Sequence, residues 1–187
     1  YSNGNIFGGT GAAISARASG TVWVAHGIPL TSGPSQEDFP NSESIAHANT
    51  HTDVAQSFLA PADSPVKKIE LYIMRNGVLP GDVNFKVVED DGAGSPSTTV
   101  LLDKIIKKND FPTSLEWMAV EFDIGPIVTS GATYWLVLDS PTFDAAKHLV
   151  FGFNSDGTNY PDGEAKISED SIFTFNFNNI INLCFVV

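Results

Sequence analysis

Hydrophobic and polar residues alternate with a period of two along most of the chain after residue 53. Between residues 68 and 73, for example, Ile69, Leu71 and Ile73 alternate with a lysine, a glutamate and a tyrosine. Successive side chains of a β-strand point to opposite faces, so this alternation predicts strands with one buried and one wetter face. The pattern recurs in segments 54–59, 83–87, 118–124, 134–138 and 173–177. Such half-buried strands are typical of antiparallel sheets.

Turn-forming residues separate these segments. Asn76-Gly77, Gly125-Pro126 and Asp156-Gly157 are three of them. Their spacing predicts about nine or ten short strands, at roughly one strand per dozen residues. The window 101–110 is the only one that fits a helix, and it fits a strand equally well. We therefore predict an all-β fold, an antiparallel β-sandwich.

The two ends of the chain differ from the alternating part. Residues 1–50 are rich in small residues and prolines, so we predict an N-terminal arm or extension before a β-sandwich domain over residues 51–187. Within the arm, Ile6 and Phe7 are isolated apolar residues that could lie across a neighbouring subunit; the alternative is a disordered terminus. The last eight residues are apolar on both faces and predict a central strand.

The charge balance restricts the partners. The 187 residues include 10 basic and 22 acidic side chains, which gives a net charge of −12. Such a surface repels nucleic acid and anionic membranes, and no apolar run is long enough for membrane insertion. The single cysteine, Cys184, rules out a disulfide framework and fits a buried position. Because the chain opens at Tyr1 rather than Met, we expect a processed or trimmed start.

An ordered set of short motifs resembles a known family. Motifs at Val54–Pro61, Val66–Tyr72, Gly94–Ser97, Trp117–Phe122, Ser130–Leu138 and Tyr160–Gly163 carry the likeness, which extends from about residue 54 to residue 186. They resemble the jelly-roll, carbohydrate-binding-like β-sandwich module of bacterial surface proteins and phage fibre or decoration proteins. The resemblance implies a jelly-roll topology and a role in display, adhesion or decoration. It implies no catalytic activity.

Catalytic signatures are weak in this sequence. There is no Gly-x-Ser-x-Gly motif for a nucleophilic serine, and with so many acidic residues some carboxylate pairs will lie close by chance. His47 and His51 are four residues apart and could hold a metal on a helix, but their segment fits a surface loop or a subunit contact better. We therefore predict no catalytic residues.

Calcium is the one candidate cofactor, and none is strictly required. Oxygen-bearing side chains recur around a glycine-containing loop near residue 157, which suits a hard cation, although the run lacks the full spacing of a helix-loop-helix calcium site. The alternative is a solvated turn. The candidate ligands are Asn154, Asp156, Thr158, Asp162 and Glu164.

Three aromatic residues are candidates for contacting a sugar. Trp117 and Trp135 are out of phase with the apolar residues of their strands, and Tyr160 lies in a predicted loop. An exposed ring can pack on the apolar face of a pyranose, whereas aromatic residues of sandwich strands usually belong to the core or an interface. Both alternatives remain open at this point.

These observations predict a non-enzymatic structural or adhesive protein on a virion surface or otherwise extracellular. A phage head-decoration or tail-fibre component is the first expectation. Its partners would be other copies of itself, neighbouring virion proteins or surface glycan. The alternatives are a carbohydrate-binding module of a secreted bacterial protein, a subunit of an extracellular filament and, last, an enzyme with convergent polar groups in a deep pocket.

Overall fold

The computed structural model describes residues 34–36, 41–45, 53–140, 146–154, 160, 162–168, 182–183 and 185–187. All of them belong to one compact unit that runs from Gly33 to Val187. Every regular element in these ranges is a β-strand, and no helix is found there. This part of the chain accordingly contains no helix that could cross a membrane. The all-β, antiparallel prediction is therefore confirmed.

The described residues form fourteen strands. In chain order they are β1 (Ser35–Gln36), β2 (Asn41–Ile45), β3 (Asp53–Leu59), β4 (Ser64–Pro65), β5 (Lys68–Asn76), β6 (Val83–Asp90), β7 (Pro96–Ile106), β8 (Glu116–Glu121), β9 (Ile127–Val128), β10 (Thr133–Asp139), β11 (His148–Asn154), β12 (Ala165–Ser168), β13 (Asn182–Leu183) and β14 (Phe185–Val186).

The first sheet has seven strands and is built around β5 and β11. Strand β5 pairs with β8 over residues 68–73 and with β11 over residues 73–76. Strand β11 also pairs with β2 and β13, while β14 pairs with β5 and β1. Two short strands of the apolar C-terminal run thus join the two strands at the centre of this sheet.

The second sheet has five strands in the order β12-β3-β10-β6-β7. Its central strand, β10, pairs with β3 along its whole length and with β6 from Tyr134 to Asp139. A hairpin joins β6 to β7, and the register between them shifts after Val87. A third, two-stranded sheet pairs β4 with β9.

Residues of both large sheets belong to one hydrophobic core cluster. Ile69, Leu71 and Ile73 of β5 belong to the same buried cluster as Phe58 of β3 and Phe85 of β6. All five are at most 1% exposed. The alternation seen in the sequence is therefore the alternation between this core and the opposite face of each strand.

The outer face of the second sheet is also partly buried. Ala55, Val88, Trp135 and Val137 form a second, smaller apolar cluster there. Strand β3 is buried on both faces as a result. The sequence pattern predicted a wetter face for this strand, and the cover over that face is the reason for the difference.

Candidate functional site

Two aromatic side chains lie side by side on the outer face of the first sheet. Tyr72 of β5 is directly opposite Trp117 of β8 in the register. Their ring centroids are 5.3 Å apart, and their planes are inclined by 54°. Trp117 is 37% exposed, and Tyr72 is half-buried. This pair, called the Trp117–Tyr72 platform below, presents aromatic surface to solvent.

The platform follows from the phase of the two strands. Ile73 and Leu71 point into the core, so Tyr72 between them points outward. Arg75 fixes the chain just before β8, because its guanidinium donates hydrogen bonds to the carbonyls of Phe111 (3.1 Å) and Gly77 (2.8 Å). The platform therefore lies on two paired strands, and the segment that leads into β8 is held by Arg75.

The surroundings of the platform are small and charged. Glu70 precedes Tyr72 by two residues on the same face of β5, and Ala119 lies directly opposite Glu70 in β8. Lys68 forms an ion pair with Glu70, with 3.1 Å between Nζ and Oε1. The side chain of Ala119 is exposed and short, so the sheet surface beside the indole of Trp117 is open to solvent at this position.

Trp135 also points outward, from β10 on the second sheet, but it is only 1% exposed. Its indole Nε1 donates a hydrogen bond of 2.8 Å to Oδ2 of Asp90. The ammonium of Lys166 lies over the ring, 5.4 Å from its centroid. The structure therefore removes Trp135 from the candidate sugar-contacting residues, because its ring is already covered by other parts of the chain.

The loop between β6 and β7 is linked to Trp135 through Asp90, which precedes the loop, and through Lys166, whose ammonium lies over the ring. Asp91 closes this loop, since its Oδ1 accepts hydrogen bonds from the backbone N–H groups of Ala93 (2.7 Å) and Ser95 (3.0 Å). These bonds hold the pKa of the Asp91 carboxyl below its usual value. Lys166 joins the loop to β12 by donating to the carbonyl of Gly94 and, over 3.1 Å, to Oγ of Ser95.

Tyr160 is likewise buried, at 8% exposure. Its hydroxyl accepts a hydrogen bond of 2.9 Å from the backbone N–H of Leu59. Burial raises the pKa of this phenol. Gly163 packs against the ring so closely that a Cβ there would lie 2.4 Å from a ring carbon. Tyr160 therefore packs against β3. Like Trp135, it is too buried to contact a sugar and is no longer a candidate.

The predicted calcium ligands are only partly described. The side chain of Asn154, and Asp156 and Thr158, lie outside the described residues. Asp162 is exposed, and Glu164 makes an ion pair of 3.4 Å with Lys166. Among the residues that the structure does describe, no three His, Cys, Asp or Glu side chains are grouped to hold a metal ion. Calcium binding at this loop stays a prediction.

Several other predictions fall outside the described ranges. They concern Ile6 and Phe7 of the arm, the histidine pair His47 and His51, and Cys184. The alternating segment 173–177 lies there too. These predictions stay as the sequence analysis states them.

An open groove of about 520 Å³ lies between β7 and the chain that follows β8. Its lining includes Lys104, Phe122 and Ile124. The ammonium of Lys104 donates to the carbonyl of Glu121 over 2.5 Å and lies 5.4 Å from the centroid of the Phe122 ring. The lysine thus bridges the edges of the two sheets across this groove.

Among the described residues, the carboxylates whose pKa is shifted accept hydrogen bonds in turns and do not line the groove. The pKa of Asp82 is lowered because its side chain accepts hydrogen bonds from the backbone of Lys108 and the ammonium of Lys107. Asp91, in the β6–β7 loop, is the other. Neither group lines the groove.

The chain matches no protein-family model, and no curated protein is similar to it at a significant level.

Sequence reasoning nominated Trp117 and missed Tyr72. The signal for Tyr72 was present, since it occupies an outward position between two core residues. The pairing with Trp117 depends on the register between two strands that are far apart in the chain. Periodicity within one strand carries no information about that register.

Proposed function

We propose that this chain is a non-enzymatic adhesive domain, a β-sandwich of jelly-roll type, that binds surface carbohydrate through the Trp117–Tyr72 platform. The setting proposed is the outside of a virion, as a head-decoration or tail-fibre component. The same platform would serve a carbohydrate-binding module of a secreted bacterial protein. Both settings need a rigid scaffold that holds a ligand-contacting face in solvent.

The observation that carries this proposal is the aromatic pair, in which Trp117 is exposed and Tyr72 is half-buried. Single exposed apolar side chains are common on protein surfaces, whereas adjacent exposed aromatic rings are typical of binding sites. The C–H groups on one face of a pyranose are weakly positive, and the negative face of an aromatic ring attracts them. Two rings inclined by 54° offer a sugar one plane to stack on and a second to lie against.

The arrangement of strands supports the sandwich part of the proposal. Consecutive long strands belong to different sheets at several points: β5 lies in the first sheet, β6 and β7 in the second, and β8 in the first again. The chain then returns to the second sheet with β10 and to the first with β11. Repeated crossing between two layers around one core is typical of jelly rolls and Greek-key sandwiches.

A glycan array followed by calorimetry tests the proposal. We expect the purified chain to bind a subset of glycans and Trp117→Ala to lose about tenfold or more in affinity, as at other aromatic contact residues. Val78→Ala is the matched control, because Val78 is 62% exposed in a turn away from the platform. An array without any bound glycan, or a Trp117→Ala variant that binds like wild type, contradicts the proposal.

A second candidate is a structural subunit that docks against further copies of itself. The observation in its favour is a rigid apolar turn between β8 and β9. Ile124 is 87% and Ile127 75% exposed, and Gly125 between them packs against the backbone carbonyl of Val66. Light scattering of the full chain tests this candidate. We expect the wild-type chain to form an oligomer and the double variant Ile124→Ser/Ile127→Ser to be a monomer. A monomeric wild-type chain would contradict this candidate.

A further inference from the structure

The register between β5 and β8 places the residues beside the Trp117–Tyr72 platform in cross-strand pairs. Tyr72 faces Trp117, and Glu70 faces Ala119. Because Glu70 and Tyr72 are two residues apart in one strand, their Cα atoms are about 7 Å apart and their side chains share a face. A ligand stacked on the indole therefore extends over the small alanine towards the Glu70 carboxylate.

The Glu70 carboxylate keeps capacity for a ligand. Its side chain is 31% exposed, and Lys68 contacts Oε1 at 3.1 Å. An ionised carboxylate has about four lone-pair positions on its two oxygens, so one lysine contact leaves acceptors for hydroxyl groups. Hydrogen bonds to a charged acceptor are stronger than neutral ones, and neighbouring hydroxyls of a sugar can donate to the two oxygens together.

The charged side chains that β5 and β8 place in the row beside the platform carry a net negative charge. Lys68 lies between Glu70 and Glu121 on the outer face, since it precedes Glu70 in β5 and pairs with Glu121 in the register. Two carboxylates and one ammonium leave an excess of one negative charge, in a chain whose net charge is −12. A sialylated or sulfated glycan would bring a second negative charge close to these carboxylates.

We infer that Glu70 is a specificity-determining residue that orients a neutral sugar on the platform and disfavours anionic glycans. This inference rests on the proposed function, because it assigns the ligand class of the same site. Glu70 accepts hydroxyl protons of the stacked sugar through hydrogen bonds, and its charge repels a carboxylate or sulfate on the glycan. A like-charge contact at about 4 Å in water lowers affinity about fivefold.

The test uses glycans in matched pairs, each neutral glycan printed beside its α2,3-sialylated and its sulfated form. Three proteins are compared with wild type: Glu70→Gln, Trp117→Ala and the control Glu89→Gln. The control removes the same charge from β6 of the other sheet, so it separates the local effect from that of net charge. Calorimetry on the strongest neutral ligand and its sialylated form provides the affinities.

We expect wild type to favour the neutral member of each pair at least fivefold, and added salt to reduce this preference. Glu70→Gln should weaken the neutral ligand about threefold to tenfold and shrink the preference, while Glu89→Gln changes neither. Two outcomes would show that this inference is wrong: wild type binds sialylated glycans as well as neutral ones, or Glu70→Gln behaves like wild type. If Trp117→Ala abolishes binding in either case, the proposed function stands. If wild type binds no glycan in any pair, both are wrong.

Discussion

The hydrogen bond between the Trp135 indole and Asp90 gives a quantitative test of how the second sheet is covered. Asp90 uses both carboxylate oxygens: Oδ2 accepts from Nε1 of Trp135 over 2.8 Å, and Oδ1 accepts from the backbone N–H of Gly92 over 2.7 Å. The first bond satisfies a donor in a side chain that is 1% exposed. The second closes an exposed turn. Removing the carboxylate therefore affects two bonds in different surroundings.

The expected magnitudes follow from those surroundings. Asp90→Ala leaves the buried indole N–H without a partner, which costs about 1–3 kcal/mol, and loses the exposed turn bond, which contributes about 0.5–1.5 kcal/mol. The free energy of unfolding should fall by about 1.5–4.5 kcal/mol in total. In a Trp135→Phe background the donor is absent, so Asp90→Ala should remove only the turn contribution of about 0.5–1.5 kcal/mol.

A double-mutant cycle with these two substitutions isolates the indole–carboxylate contact. Urea unfolding followed by far-UV circular dichroism provides the four free energies of unfolding, and equal m-values show that all four proteins unfold alike. We expect a coupling energy of about 1–3 kcal/mol, the cost of leaving the indole N–H unpaired. A coupling below about 0.5 kcal/mol would show that the indole N–H has another partner or is hydrated in solution, which would refute the assignment of Asp90 as the group that links the β6–β7 loop to Trp135.

Three further predictions follow from the described contacts. Gly125→Ala places a Cβ 1.5 Å from a backbone carbonyl oxygen, so we expect little folded protein by circular dichroism, whereas Gly92→Ala, with φ of +82° and open space, should cost about 1 kcal/mol. Tyr160→Phe leaves the partly buried backbone N–H of Leu59 in β3 without its hydroxyl partner and should lower the free energy of unfolding by about 1–2 kcal/mol in urea titrations. The pKa values of Asp82 and Asp91 are lowered in the folded state, so these two carboxylates stabilise the fold at neutral pH and lose that effect as the pH falls below about 4. A variant with both residues changed to Asn should therefore lose less melting temperature on acidification than wild type. An identical loss in both proteins would contradict the lowered pKa values.

Period-two alternation predicted the strands well because burial against one core imposes it. Segments 68–73, 83–87 and 134–138 are strands with the expected faces inward. The ambiguous window 101–110 proved to be part of β7 up to residue 106. Alternation alone could not decide this, because an edge strand with little burial on either face has a weak apolar pattern.

Long-range contacts limited what the sequence could show about the site. Both Trp117 and Trp135 are out of phase with core residues, and both do point away from the shared core. The ammonium of Lys166 lies over the Trp135 ring and also bonds to the β6–β7 loop, and Lys166 follows Trp135 by 31 positions in the chain. No local pattern identifies such a partner, since the lysine reaches the loop only when β12 pairs with β3.

The difference in exposure between these two tryptophans, 1% for Trp135 and 37% for Trp117, supports the proposed ligand contact at Trp117. At Trp135 the chain supplies a carboxylate for the indole N–H and an ammonium over the ring. At Trp117 the opposite residue is another aromatic, the neighbour along the face is an alanine, and 37% of the side chain stays in solvent. Burying apolar surface stabilises by about 25 cal/mol per Å², so covering Trp117 with a larger neighbour at position 119 would increase stability. Ala119→Leu is therefore expected to raise the melting temperature slightly and to weaken glycan binding; a variant that is more stable and binds glycan as tightly as wild type would show that the open sheet surface beside Trp117 serves no ligand.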